Sequence, residues 1–326
     1  MTDEAVHGVL SQYGMHQSRI EFLRHNENRT YKVTDPDQGS SYLLRIHQPV
    51  TGNFRGVQHT DQGLWNELEL LEAITAQTNL SFQSPVRNDR QALITDMEYE
   101  GKIVHCSLLT WIEGRQLLKE DVSNDRTVVR LGALTAELHK FFRTYDRVSP
   151  EHRPSHGTER HIQMLQQIQN GVELGLILPS DYRLMEETIR LINSRLEGKG
   201  KRQDNWGLVH GDLNMGNLIV SGDGELSFID FSLFGYGYFS LDVSMGALMV
   251  PAELRSRFLE GYYGTSEVPA VDCDTLEGFM LVAILGYYAF HMKNEAVHPW
   301  IRERAPILCA RQCRPFLSGQ RILDNL

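Results

Sequence analysis

Three oxygen-bearing side chains stand close together in the second half of the chain. Asp212 and Asn217 lie five residues apart in LVHGDLNMGNLIV, and Asp230 follows thirteen residues later in FIDF. Phosphoryl transfer needs a carboxylate beside the acceptor hydroxyl and oxygen ligands for Mg²⁺. Any one of these residues alone would be interpreted as a turn or strand-end residue. All three, in this order and spacing, favour phosphoryl transfer.

Two short apolar segments are predicted to position these side chains. LIV directly follows Asn217, LSFI directly precedes Asp230, and SGDGE between the two is typical of a hairpin turn. Pairing of the two strands would bring Asn217 and Asp230 together.

The rest of the chain divides into a strand-rich part and a helical part. SRIEFLR, RTYKVT and SYLLRIH are short β-rich runs, LWNELELLEAI has helical periodicity, and two hairpin-like stretches follow. This order predicts a five-stranded antiparallel sheet with one main helix. From about Gly114 the pattern becomes helical, as in VVRLGALTAELHKFF. We therefore predict an α+β fold with two lobes.

Composition narrows the class of protein. The 326 residues carry a net charge of −10 without a long basic run, which argues against nucleic acid or an anionic membrane as the partner.

Cys309 and Cys313 have helical spacing and lack further metal ligands nearby, so we expect packed, reduced thiols in a cytoplasmic protein. The N-terminus MTDEAVHGVL is unlike a signal peptide. FMLVAILGYYAF, residues 279–290, is short for a membrane span and predicts a buried helix.

The motif HGDLNMGNLIV…FIDF resembles the signature of the aminoglycoside phosphotransferase and choline kinase-like family, small-molecule relatives of the protein kinases. The resemblance implies a bilobal protein kinase-like fold with a small antiparallel-sheet N-lobe and a mainly helical C-lobe. Residues 1–113 would form the nucleotide-binding lobe, and residues 114–326 the catalytic and substrate-binding lobe.

The same resemblance implies a role for each polar residue of the motif. Asp212 would be the catalytic base and His210 a support of the catalytic loop. Asn217 and Asp230 would be the Mg²⁺ ligands. Asp242, in FGYGYFSLDVS, matches a second family aspartate and is expected to hydrogen-bond the backbone of the catalytic loop.

Two segments of the first lobe resemble the phosphate-binding elements of the family. YLLRIH resembles the strand that carries the phosphate-binding cation, which would be Arg45 unless this arginine simply lies on the surface. Arg29 and Lys32 are the next candidates. ELELLEAI resembles the helix whose glutamate pairs with that cation. Glu67 borders the packed face of this helix and is preferred to Glu69, which we expect to face solvent.

Two further segments are similar to nucleotide-binding parts of the family. NENRTYKV resembles the first nucleotide-loop strands and would contribute Asn28. LLTWIEG resembles the hinge between the lobes, where backbone groups of Thr110, Trp111 and Ile112 would bind adenine. The nucleotide implied is ATP, with GTP as the alternative, together with Mg²⁺.

The resemblance implies a hydroxylated small molecule as the acceptor. Residues 231–326 contain ten acidic and eight basic residues, which argues against a polycationic acceptor. The many aromatic residues there could form a cation–π cage or simply pack the helices. A protein Ser/Thr kinase and a nucleotide-binding scaffold with little transfer activity remain alternatives. The segment between Asp230 and Asp242 is too short for a peptide-binding activation loop, which favours small molecules. The acceptor's identity and the oligomeric state stay open.

Overall fold

A computed structural model gives the chain a mixed α+β architecture. The described residues are 1–25, 27–37, 39–48, 56–265 and 270–323, with side chains from 273 onward in the last stretch. The helices of this part are α1 (Asp3–Ser11), α2 (Asp61–Gln77), α3 (Asp125–Thr144), α4 (Thr158–Glu173), α5 (Pro179–Lys199), α6 (Phe239–Met249), α7 (Arg255–Tyr263), α8 (Ala270–His291), α9 (His298–Leu308) and α10 (Arg314–Leu317). Its strands are β1 (Arg19–His25), β2 (Arg29–Asp35), β3 (Ser40–Ile46), β4 (Pro85–Val86), β5 (Thr95–Tyr99), β6 (Lys102–Thr110), β7 (Arg115–Gln116), β8 (Ser155–His156), β9 (Trp206–Val209), β10 (Leu218–Val220), β11 (Leu226–Phe228) and β12 (Gly235–Tyr238).

The chain contains two compact units, which are described separately. The first unit consists of Met1–Gln116, Arg147–Pro154 and Leu218–Leu233. The second unit consists of Leu117–Asp146, Ser155–Asn217 and Phe234–Leu326. The division into lobes at residue 113 stays a prediction.

The first unit is built on an antiparallel sheet with the strand order β1-β2-β3-β6-β4, in which β5 also pairs with β6. The predicted number of five strands is therefore wrong by one. The additional strand, β4, contains only two residues, too few for the alternation of side chains that identifies a strand in sequence.

One face of this sheet carries the apolar core of the first unit. Leu44, Ile46 and Leu108 are fully buried there, together with Val6 and Leu10 of α1. Burial of each such side chain contributes roughly 1.5–3 kcal/mol to stability. Because side chains alternate along a strand, Arg45, which lies between Leu44 and Ile46 in β3, faces the opposite side of the sheet.

A separate hairpin, β10–β11, pairs with β7 in the first unit. Leu218 lies opposite Phe228 and Val220 lies opposite Leu226, so the pairing extends to both ends of the predicted SGDGE turn. The turn closes with a hydrogen bond from the Ser221 amide to the Glu225 carbonyl at 3.0 Å. The hairpin predicted from the sequence is confirmed.

The second unit is mainly helical and includes the small sheet β8-β12-β9. Its core contains buried residues of α4, α5, α8 and α9. The thiols of Cys309 and Cys313 are free and buried there, as predicted.

Helix α8 is longer than the apolar run that predicted it. It has 22 residues, and its segment Cys273–His291 is long and apolar enough to cross a membrane by length and composition alone. The prediction that this helix is too short to span a membrane is therefore wrong. Phe279, Leu281 and Leu285 of this helix are nevertheless fully buried in the core of the second unit, as a core helix requires.

Candidate active site

The predicted catalytic loop follows β9 in the second unit. Val209 ends the strand inside the core, and His210 is fully buried behind it. Gly211 then adopts a φ of 78°, a left-handed conformation that glycine adopts without steric cost. The chain turns there and presents Asp212, which is partly exposed.

Asn217 fixes the orientation of the Asp212 carboxylate. Its Nδ2 donates to Asp212 Oδ2 at 2.8 Å and to the Asp212 carbonyl at 2.9 Å. Since the amide nitrogen faces Asp212, the amide oxygen of Asn217 faces the other way. Asn214 contributes a further bond from its Nδ2 to the Asp212 carbonyl at 3.1 Å.

Asp242 holds the start of the loop from the first turn of α6. Its carboxylate accepts hydrogen bonds from the backbone amides of His210 at 2.7 Å and Gly211 at 2.9 Å, and contacts His139 Nε2 at 3.0 Å. Burial alone would raise the pKa of Asp242, but the contacts with His139 and the Gly211 amide hold it below its ordinary value. The predicted contact of Asp242 with the loop backbone is confirmed.

Asp230 lies in the first unit, two residues after Phe228 ends β11. Its backbone is left-handed, with a φ of 65°, and its carboxylate is about one-quarter exposed. Arg24 of β1 contacts it, with Nη2 3.3 Å from Oδ2. Along the chain, Asn217 immediately precedes Leu218, which pairs with Phe228.

A buried arginine ties the segment after Asp230 to helix α2. Arg153 donates to the carbonyl of Gly63 at 2.9 Å, to that of Phe231 at 3.2 Å, and to that of Ser232. Burial lowers the pKa of Arg153 to about 10. These bonds fix the backbone immediately after Asp230 against the first turn of α2.

Arg45 and Glu67 form a buried ion pair across the first unit, as predicted. Arg45 Nη1 lies 2.6 Å from Glu67 Oε1, and both side chains are almost completely buried. Arg45 Nη2 is also buried and has no hydrogen-bond partner among the described residues. An unsatisfied buried donor is costly, and a nucleotide phosphate is an acceptor that would satisfy it.

Glu69 does not face solvent, contrary to the sequence prediction. Its side chain is only 17% exposed and lies 3.9 Å from Arg147. Burial raises the pKa of Glu69, and the Arg147 guanidinium opposes that shift. The prediction was based only on the apolar face of α2. Arg147, which lies beside Glu69, belongs to a loop that is distant in sequence.

The proposed hinge residues leave β6 at its C-terminal end. The Thr110 amide donates to the Ser84 carbonyl at 2.8 Å, and the Trp111 amide donates to the Ser41 carbonyl at 3.1 Å. Lys32 Nζ lies 4.5 Å from the centre of the Trp111 ring. The two amides are therefore already used within the first unit, so adenine would have to bind other groups of the segment.

The sequence matches a known protein family. The model of the phosphotransferase enzyme family matches residues 19–272. The chain belongs to this family. The phosphotransferase activity predicted from HGDLNMGNLIV…FIDF is thereby confirmed.

Individual proteins that are similar to this chain agree with the family assignment. Amicoumacin kinase of Bacillus subtilis (strain 168) is 24% identical over 276 residues, which are 79% of this chain and 75% of that protein. A microcompartment-associated aminopropanol kinase superposes with a TM-score of 0.78 at 21% identity, over 98% of both chains. The amicoumacin kinase hAmiN, in complex with AMP-PNP, Ca²⁺ and Ami, superposes with a TM-score of 0.72 at 22% identity, over 99% of this chain and 95% of that one. These superpositions confirm the predicted protein kinase-like α+β fold.

Several residues that contact the proposed site residues or the adjoining backbone are not predicted from the sequence. Arg24, Arg153 and Ser107 lie in segments without a local pattern that marks them, because their partners are distant in sequence. His47 is different. The alternation in YLLRIH places it on the same strand face as Arg45, a signal that was available.

The aromatic residues of the second unit divide into two groups. Tyr238, Phe239 and Tyr288 are buried in the core, which agrees with helix packing. Tyr287 and Trp300 are exposed and lie edge to face, with ring centres 5.3 Å apart. Packing therefore accounts for the first group.

Proposed function

We propose that this phosphotransferase transfers the γ-phosphate of ATP to a hydroxyl of a small molecule, with Asp212 as the catalytic base. The hydrogen bond from Asn217 Nδ2 to Asp212 Oδ2 carries the proposal. It orients the Asp212 carboxylate, which would accept the proton of an acceptor hydroxyl. Burial of His210 and its amide bond to Asp242 support the loop behind this carboxylate.

Arg45 is the proposed cation for the nucleotide phosphates. Its Glu67 bond fixes the guanidinium, and the buried Nη2 is a donor suited to a phosphate oxygen. Asn28 would contact the phosphates from the loop between β1 and β2. Backbone groups near Thr110, Trp111 and Ile112 would bind the adenine, with Ile112 the preferred one because the other two amides are already bonded.

Asn217 and Asp230 are the proposed ligands of Mg²⁺. The amide oxygen of Asn217 and the carboxylate of Asp230 are hard oxygen donors, the kind Mg²⁺ prefers. The β10–β11 pairing supports their convergence, because it joins the residue after Asn217 to a position two residues before Asp230. Bound Mg²⁺ would neutralise the charge of the transferred phosphoryl group.

The proposed acceptor is a small alcohol or amino alcohol that is neutral or singly charged. The near balance of ten acidic and eight basic residues in 231–326 suits such a molecule better than a polycation. The relatives named for amicoumacin and aminopropanol support a hydroxylated small molecule. We place the enzyme in the cytoplasm, where ATP is abundant and its free thiols would stay reduced.

The test measures ADP release with a panel of hydroxylated metabolites and antibiotics, with ATP or GTP and with Mg²⁺. On any accepted substrate, Asp212→Ala should lower kcat by a factor on the order of 10²–10⁴ while nucleotide affinity is retained. Asp223→Ala, in the exposed turn of the hairpin, is the matched control and should retain activity.

Two results would overturn the proposal. Full turnover by Asp212→Ala would remove the proposed base. Transfer of labelled phosphate from ATP only to Ser or Thr of lysate proteins, with the whole small-molecule panel unlabelled, would establish the protein kinase alternative.

A further inference from the structure

Three polar side chains share one face of the sheet in the first unit. Arg45 and His47 are two residues apart and therefore point to the same side of the chain. Ser107 of β6 lies directly opposite Arg45 in the strand register. The fully buried Ser107 hydroxyl is thus placed between the two side chains.

Hydrogen bonds connect these residues in a continuous chain. Arg45 Nε lies 3.3 Å from Ser107 Oγ, and Ser107 Oγ lies 3.0 Å from His47 Nε2. His47 Nδ1 lies 2.8 Å from Asn28 Oδ1. This series of hydrogen bonds therefore runs from Arg45, the proposed phosphate cation, to Asn28, the other proposed phosphate contact.

The chemistry of the groups sets the direction of each bond. Arg45 Nε can only donate, so Ser107 Oγ accepts from it. The serine hydroxyl then donates to His47 Nε2, and His47 Nδ1 donates to the amide oxygen of Asn28. In this arrangement the amide oxygen of Asn28 faces His47, so its amide nitrogen is turned away from the imidazole ring.

We infer that Ser107 and His47 are positioning residues that hold Arg45 and Asn28 in the orientation needed to bind the nucleotide phosphates. This inference rests on the proposed function. It assigns the two residues no contact with the reacting atoms. Their effect is to restrict the guanidinium and the carboxamide before the nucleotide arrives.

This series of hydrogen bonds requires the imidazole of His47 to be neutral. A protonated His47 would donate from both ring nitrogens, and the serine proton would lose its acceptor. It would also place a second positive charge beside Arg45. Burial of the ring and the neighbouring Arg45 charge hold the pKa of His47 well below its ordinary value, which agrees with the neutral form.

The test compares ATP kinetics of the full-length wild type with Ser107→Ala, which deletes one oxygen atom. We expect KM for ATP to rise about fivefold to tenfold, the effect of losing one hydrogen bond of ordinary strength, with a smaller change in kcat. His47→Ala, directly after the C-terminal end of β3, should raise KM in the same way. It serves as a second variant should Ser107→Ala fold poorly.

Thr95→Val is the matched structural control. Thr95 is a buried hydroxyl residue of β5 in the same sheet, bonded to Asn88 and Tyr13 rather than to Arg45. Thr95→Val and Ser107→Ala should lower the melting temperature by similar amounts. Only Ser107→Ala should raise KM for ATP.

A double-mutant cycle separates this inference from the proposed function. If Ser107 acts through Arg45, adding Ser107→Ala to Arg45→Ala should leave KM for ATP within about twofold of the single Arg45→Ala value. Additive effects, or an unchanged KM in Ser107→Ala and His47→Ala, would overturn the inference. An unchanged KM in Arg45→Ala would instead refute the proposed phosphate cation itself.

Discussion

Arg24 and Asp230 form an ion pair in the first unit, with Arg24 Nη2 3.3 Å from Asp230 Oδ2. The arginine side chain is about half exposed and the aspartate about one-quarter exposed. Since Asp230 is a proposed Mg²⁺ ligand, a cation bonded to its carboxylate competes with the metal. The pair would therefore connect strand β1 to the proposed Mg²⁺ site.

Arg24→Gln should lower the Mg²⁺ concentration needed for half-maximal activity. A partly exposed ion pair is worth about 0.2–1 kcal/mol, which corresponds to a change of up to about fivefold. Titration of Mg²⁺ at saturating ATP measures this. Arg19→Gln, an exposed arginine at the other end of β1, is the control and should behave as wild type. A higher Mg²⁺ requirement in Arg24→Gln would show that the arginine assists metal or phosphate binding instead of opposing it.

Arg45→Ala should raise KM for ATP about tenfold or more, because a charge-assisted contact with phosphate is worth about 1.5–3 kcal/mol. Glu67→Gln should have a smaller effect, since Glu67 orients the guanidinium without touching the nucleotide in this proposal. Calorimetric titration with a non-hydrolysable ATP analogue measures both. Normal affinity in both variants would direct attention to Arg29 or Lys32.

The sequence could predict the elements whose signals are local. The predicted limits of the first three strands agree with β1, β2 and β3 to within one residue, because apolar and polar residues alternate along much of β2 and β3. Helix α1 also carries a local signal, because Val6, Val9 and Leu10 have helical spacing, but it is not among the predicted elements.

Features that depend on distant residues could not be predicted in the same way. Arg153 lies in a polar loop, and its partners Gly63 and Phe231 are 90 and 78 positions away. Glu69 was expected in solvent because its ion-pair partner, Arg147, is also distant. The same distinction applies to the candidate site. The residues of its motif can be recognised from their local spacing in the sequence. The side chains that hold the motif in place are brought to it by tertiary packing and cannot be recognised in that way.

Asp242→Asn should destabilise the protein and lower kcat. The carboxylate accepts bonds from the amides of His210 and Gly211, and an asparagine side chain has only one oxygen to offer them. One buried donor would then face an NH₂ group, at a cost of about 1–3 kcal/mol. Urea unfolding measures the loss, with Asp223→Asn as the control. A stability equal to wild type would mean that the loop does not depend on this carboxylate.

Acid should destabilise the protein partly through His47. Its pKa is lowered by folding from about 6.5, so below that pH the unfolded chain binds a proton that the folded chain does not. The free energy of unfolding should therefore fall as the pH drops through 6.5, and this contribution is absent above it. Relative to wild type, His47→Ala should lose about 1 kcal/mol less between pH 7.5 and 5.5. Parallel pH profiles for the two proteins would contradict this.

The left-handed backbone of Asp230 lowers stability at a residue that is proposed to bind Mg²⁺. A non-glycine residue with a φ of 65° costs about 1 kcal/mol relative to glycine, and the exposed ion pair with Arg24 returns little of it. Asp230→Gly should therefore be at least as stable as wild type while it loses its Mg²⁺-dependent activity. A search for thermostable variants would favour this inactive substitution, so such a search must select for turnover at the same time.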